Sequence, residues 1–236
     1  LTNYWKGKEP SEIVEELQNF TFYFRLLYHL QSNHINESIN RLGPELTTSI
    51  LRLSLASPPD DFGPYVIGII EAVISSDCTK IKAIKLIDLL SSWLVRHSVI
   101  TPGATTLFGL QRVFNKSNWE SLSQNGFDES ILLRAMNKTE FSLDTLTDAD
   151  FKKLLVSDGI YKLKVARSII FSLDTTEDAL DCGIPLQKDD NRIPQIPSFH
   201  LEHVAPQKVT GANDWEHMKD HMDLVHTVGN LVAVEG

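Results

Sequence analysis

The spacing of apolar residues through the first three-quarters of the chain constrains its fold more than any other feature. In "TKIKAIKLIDLLSSWLVRH", from Thr79 to His97, Ile81, Ile84, Ile87, Leu90 and Leu94 recur every three or four positions. In "SEIVEELQNFTFYFRLLYHL", from Ser11, the residues Ile13, Leu17, Phe20, Phe24 and Leu27 do the same. That interval matches the 3.6-residue helical turn, so each set lines one side of an α-helix and predicts a buried stripe. Thr79 and Asp148 stand where N-caps belong, because a short side-chain oxygen there accepts from a free first-turn amide. "DADFKKLLVSD" and "GIYKLKVARSIIFSLD" continue the helical pattern as far as Asp174. "SPPDDFGP" (Ser57 to Pro64), "TPG" (Thr101 to Gly103) and "NKSNW" (Asn115 to Trp119) read as the breaks between helices. No fixed-period repeat joins them, so the expectation is an irregular multi-helix domain.

The pattern changes after Asp174. Prolines at 185, 194, 197 and 206 interrupt a stretch with almost no helical periodicity. "WEHMKDHMDLVHTV" then reads as a short helix and "GNLVAVEG" as a strand. Five of the eight histidines, at 200, 203, 217, 221 and 226, fall in this last part. The expected organisation is a helical domain over 1–175, a Pro-rich linker over 176–198 and a small module over 199–236.

Composition narrows the function. At 236 residues the chain can hold one large domain, or one domain with a small module. Acids outnumber bases by 31 to 22, whereas affinity for phosphate backbones comes from clustered Lys and Arg. Any nucleic-acid contact is therefore local, or borrows basic surface from elsewhere. Cys78 and Cys182 share no CxxC spacing, which excludes a disulfide scaffold and points to the reducing cytoplasm. The longest apolar runs are too short or too interrupted to span a bilayer, so no membrane partner is expected. "LTNYWKGKEP" lacks the order of a signal peptide and an initiator methionine, and reads as an internal start.

The histidine-rich end carries the chemistry. In "FHLEHVAPQ", Phe199 to Gln207, Glu202 and His203 are neighbours on one extended segment, so their side chains leave opposite faces. A Pro-bounded turn follows, and "VGNLVAV" opens a second strand. The arrangement "LEHVAPQ … W … VGNLVAV" resembles an HNH (His-Me finger) nuclease motif, closest to the C-terminal module of GmrSD-type modification-dependent restriction proteins. Glu202, His203, Pro206, Gln207, Trp215, Gly229, Asn230 and Leu231 match it. "WLVRHSVITPGATTLFGLQRVF" and "FKKLLVSDGIYKLKVARSIIFSLD" resemble the helical segments upstream of that module more loosely.

The resemblance implies a cytoplasmic prokaryotic defence nuclease that cuts foreign or modified DNA with a divalent cation, Mg²⁺ or Mn²⁺. It implies His203 as general base, Glu202 as metal ligand, and Asn230 as the asparagine that ties the loop to the strand and steadies the histidine. A histidine suits the first role because its ordinary pKa lies near 6.5. A carboxylate suits the second because hard cations prefer oxygen. The family's last metal ligand lies on a helix after the second strand. The expected fold is therefore mainly α, with an irregular multi-helix domain followed by a small, C-terminally incomplete ββα-metal (HNH-like) module. The family also pairs it with an upstream nucleotide-handling domain or subunit, and this chain carries no GxxxxGK[ST] phosphate loop. From Gln195 onward two lysines, Lys208 and Lys219, face six acids, the reverse of a DNA-gripping surface.

Two other readings compete. "HMKDH" places His217 and His221 four apart with His226 nearby, a spacing zinc sites use, although Met218 stands where a zincin carries its glutamate. A non-catalytic helical interaction or DNA-sensing module would present Trp93, Trp119 or Tyr65, yet all three lie in or beside apolar stripes and belong in the core. His29 and His97 flank such stripes and read as partly exposed helix residues.

Overall fold

The computed structural model describes residues 7–28, 42–56, 62–100, 113–138, 147–156, 159–163, 165–174, 199–208, 220 and 223–235. Among these the protein is mainly α. Its helices are α1 (Pro10–Tyr28), α2 (Pro44–Leu55), α3 (Phe62–Ile74), α4 (Lys80–Ile100), α5 (Lys116–Gln124), α6 (Glu129–Asn137), α7 (Asp148–Leu155) and α8 (Ala166–Asp174). Two strands follow, β1 (Phe199–His203) and β2 (Leu231–Glu235). The expected linker over 176–198 lies outside the described residues, as do Thr101 to Gly103.

Local chemistry explains where the helices start. Pro10 opens α1, where its missing N–H leaves no hydrogen bond unmade, and the Glu9 carbonyl accepts from the Glu12 and Ile13 amides. Thr79 behaves as expected: its carbonyl takes the Ala83 amide, and its hydroxyl oxygen lies 3.4 Å from the Lys82 nitrogen. Asp148 is not a cap. Thr147 fills that position, accepting from the Asp150 amide at 3.2 Å while its hydroxyl donates back to the Asp150 carboxylate. Asp148 is the first helical residue and pairs with Arg96 of α4.

Two of the expected breaks are shorter than the sequence suggested. Phe62, Gly63 and Pro64 form the first turn of α3, where a proline has no intrahelical bond to lose. Asn115 caps α5 by accepting from the Asn118 amide at 2.9 Å, so Lys116 to Trp119 are helical.

Helix α4 is the axis of the core. It packs against α2, α3, α6 and α7, and its Leu86, Ile87, Leu90, Trp93 and Leu94 are buried. The predicted stripe is right from Ile84 onward, but Ile81 is 70% exposed, and Ala83 is the first-turn residue that faces the core. Of the stripe expected on α1, Ile13 is half-buried and Leu17 is 44% exposed, while the side chains of Phe20, Phe24 and Leu27 lie outside those described. As expected, Trp93 and Tyr65 are core residues and Trp119 packs against the core. His97 departs from expectation. It is 2% exposed on the inward face of α4, beside the Trp93 ring.

"GIYKLKVARSIIFSLD" is not one helix. Ile160–Lys162 forms a single tight turn, Leu163 is extended, and α8 starts at Ala166. The Tyr161 amide points across to the His226 carbonyl (3.3 Å). In a helix starting at Gly159 that amide would lie in the first turn without an intrahelical acceptor, so the bond satisfies it, and it is the extended Leu163 that interrupts the helical run.

The strands pair antiparallel, with His203 opposite Leu231 and Phe199 opposite Glu235. A lone hairpin is marginal in water. This one leans on α8, and Leu201 and Val228 pack against the helical core. One face of the sheet, with His200, Glu202, Val232 and Val234, is exposed; the other, with Leu201, His203, Leu231 and Ala233, turns inward. That alternation is what places the candidate site.

Candidate active site at the two-stranded sheet

His203 is the last residue of β1, on the inward face, and its ring lies 4.3 Å from that of Tyr161, centre to centre. Both ring nitrogens are engaged. Nε2 is 3.0 Å from Nδ1 of His226, and Nδ1 is 2.9 Å from the Gln207 amide nitrogen. His226 stacks on the other side of the site, 5.8 Å from Tyr161 and 19° from parallel to it. The result is a cluster of two imidazoles and a phenol ring bounded by one exposed amide.

Asn230 holds the cluster's backbone together. Its Oδ1 accepts from the Ala205 amide at 2.7 Å, and its Nδ2 donates to the carbonyls of Val225 (2.8 Å) and Ala205 (3.3 Å). Its own carbonyl accepts from the Val204 amide at 3.0 Å. One side chain thus joins the loop leaving β1 to the segment entering β2, immediately beside His203 and His226. The local reason is the tight turn Val228–Asn230, which aims the asparagine at that loop.

Glu202 is placed differently. It lies on the exposed face opposite Val232, away from the Tyr161 side. Its charge still reaches His203. Burial and the neighbouring His226 push the His203 imidazole below the ordinary histidine value, while Glu202 pulls it back up. The ring is therefore neutral at neutral pH, with a lone pair to offer.

The divalent cation implied by the motif does not find a full shell. Among the described residues, no three His, Cys, Asp or Glu side chains lie close enough together to hold a metal ion. Glu202 and His203 leave opposite faces of β1, and both His203 nitrogens already have partners. His217 and His221 lie outside the described residues, and His226, the third histidine of the zinc reading, faces His203.

Three site residues were not singled out from sequence for the roles they take here. Tyr161 comes from the turn before α8, more than forty positions upstream of His203, and no local pattern marks it. His226 stood in the histidine-rich stretch but was grouped with the "HMKDH" pair. Gln207 was visible as part of "VAPQ", without its contact to the imidazole. No family model matches the chain, and neither a curated protein nor a solved structure matches it. Among the described residues, no helix is long and apolar enough to cross a membrane.

Proposed function

We propose that residues 199–235 form the histidine-bearing half of an HNH-like phosphodiesterase site, in a protein that cuts foreign or modified DNA. The observation that carries this reading is the Asn230 latch. A β-hairpin whose second strand opens on an asparagine bonded to the loop behind a strand-end histidine is what the motif "LEHVAPQ … GNL" requires. In this reading His203 takes the proton from the attacking water. Its depressed basicity keeps it unprotonated at neutral pH, and its engaged ring directs one nitrogen at a time. Asn230 steadies the loop that carries it.

The reading includes a divalent cation, Mg²⁺ or Mn²⁺; Glu202, the ligand expected for it, leaves the face of β1 opposite to His203, so no step is routed through the ion. The described residues do not complete its shell, so the chemistry assigned to them is that of the imidazole. An upstream nucleotide-handling domain or subunit and a cytoplasmic setting belong to the same proposal. The acidic balance here means that the basic surface for DNA must come from elsewhere in the assembly.

The test is nicking of supercoiled plasmid, plain and modified, by the full-length protein carrying this segment. The assay is run with Mg²⁺ or Mn²⁺, then with chelator, beside the His203→Ala variant. Metal-dependent nicking that drops by about 10²–10⁴-fold in the variant is expected for a general base. Intact plasmid with a well-folded protein, or equal nicking by the variant, would end the reading and favour a non-catalytic interaction module.

A further inference from the structure

We propose that His226 is a positioning residue that holds His203 as its Nε2–H tautomer, leaving Nδ1 as the nitrogen that meets the reacting water. A neutral imidazole has one N–H and one lone pair. His203 Nε2 lies 3.0 Å from His226 Nδ1, and His203 Nδ1 lies 2.9 Å from the Gln207 amide nitrogen. An amide nitrogen only donates, so the Gln207 contact makes His203 Nδ1 the acceptor. Nε2 must then carry the proton and donate it to His226 Nδ1.

The opposite tautomer is incompatible with His203 acting as a base. It would give the Nδ1 proton to the Gln207 carbonyl and use the Nε2 lone pair on a His226 N–H, leaving no lone pair for water.

The two partners of His203 differ in how firmly they are held. The segment around His226 is tied at three successive residues. The Val225 carbonyl accepts from Asn230, the His226 carbonyl from the Tyr161 amide, and the Thr227 amide donates to the Leu224 carbonyl. Its ring stacks on Tyr161. Gln207 is exposed on the turn after Pro206, with one side-chain contact to the site. A substrate or water can displace Gln207 by rotating one exposed side chain, whereas the half-buried His226 ring would lose its stack on Tyr161 if it moved. The fixed side therefore sets the tautomer, and the yielding side is where the lone pair becomes available.

The role of Nδ1 rests on the nuclease reading; the tautomer itself does not, and the two can be tested separately. Long-range ¹H–¹⁵N correlation spectra are recorded on wild type and two variants, well above the histidine titration range. His226→Phe keeps a ring to stack on Tyr161 but removes the acceptor. His226→Asn keeps an acceptor near the position of Nδ1. The expected result is a pure Nε2–H pattern for His203 in wild type and in His226→Asn, and a mixture of tautomers in His226→Phe. Nicking should then fall about ten- to a hundred-fold in His226→Phe, with recovery in His226→Asn, the range seen when a group orienting a catalytic residue is lost. An Nδ1–H pattern in wild type, or a His203 tautomer unmoved by His226→Phe, would overturn the proposal even if DNA is cut. The expected tautomers with no cutting by any version would support the His226 role and remove the nuclease reading instead.

Discussion

Asn230 is the residue on which the hairpin's geometry most depends. Its amide makes one bond as acceptor and two as donor, all to backbone groups of the two loops. Replacing it by Ala removes three bonds and leaves the nearly buried Ala205 amide without its acceptor, an expected loss of about 1–3 kcal/mol. Asn230→Asp should be worse, because a carboxylate oxygen would then face the Val225 and Ala205 carbonyls. Urea midpoints give the global loss, and amide hydrogen exchange at Ala205 reads the latch directly. Unchanged protection of Ala205 in Asn230→Ala would mean the latch does not hold the loop. Asn230 and His203 were legible from sequence through the resemblance of "GNL" and "LEHVAP" to an HNH motif; Ala205 was not. Tyr161 was not, because a lone aromatic in "GIYKL" has no pattern that ties it to a histidine so far along the chain.

Where α3 meets Trp119 of α5, Gly68 leaves no room for a side chain. A Cβ built at Gly68 would come 2.4 Å from Cη2 and 2.6 Å from Cζ2 of Trp119. The indole cannot simply swing away, because Tyr65 packs edge-on at 5.2 Å and Phe127 at 5.9 Å. Gly68 is in the middle of α3, where alanine would ordinarily add about 1 kcal/mol of helix propensity. Over-packing costs about 1–3 kcal/mol, and with the clash this close it should win. Gly68→Ala is therefore expected to lower the unfolding midpoint, and a midpoint at or above wild type would show that the two helices separate easily. Phe127 itself follows α5 in a left-handed conformation (φ 59°), its amide donating to the Leu122 carbonyl at 2.9 Å, while Gly126 (φ 65°) donates to Ser123. That pair of bonds closes the helix and turns the Phe127 ring back onto Trp119.

For the molecule as a whole, the buried histidine of α4 sets a pH limit on stability. Burial lowers the His97 pKa below its ordinary 6.5. The unfolded chain then binds the proton more readily than the folded one, so stability is full above about 6.5 and falls as the pH drops through the lower folded value. Thermal melts from neutral to mildly acidic pH should show this decline, and a His97→Gln variant should show a shallower one over the same window. Parallel slopes for both proteins would assign the acid sensitivity to other groups. His97 also lies on α4, which packs against four other helices, so protonating it strains the centre of the fold and not its edge.

The helices, most of their starts and the two strands follow from local rules: apolar spacing of three to four, a threonine or asparagine before a first turn, alternation along an extended run. The pairing of Asn230 with the histidine strand was expected only through the resemblance to an HNH motif, whose two pieces are separated by a long stretch of chain. What required the folded chain was everything that depends on distant partners. It turned Glu202 to solvent and His203 inward, buried His97, exposed Ile81, interrupted "GIYKLKVARSII" at the extended Leu163, and gave the Tyr161 amide to His226. It also brought His226 against His203, which no spacing along the chain encodes. Local sequence sets which dihedrals are cheap, whereas burial and pairing depend on which surfaces meet.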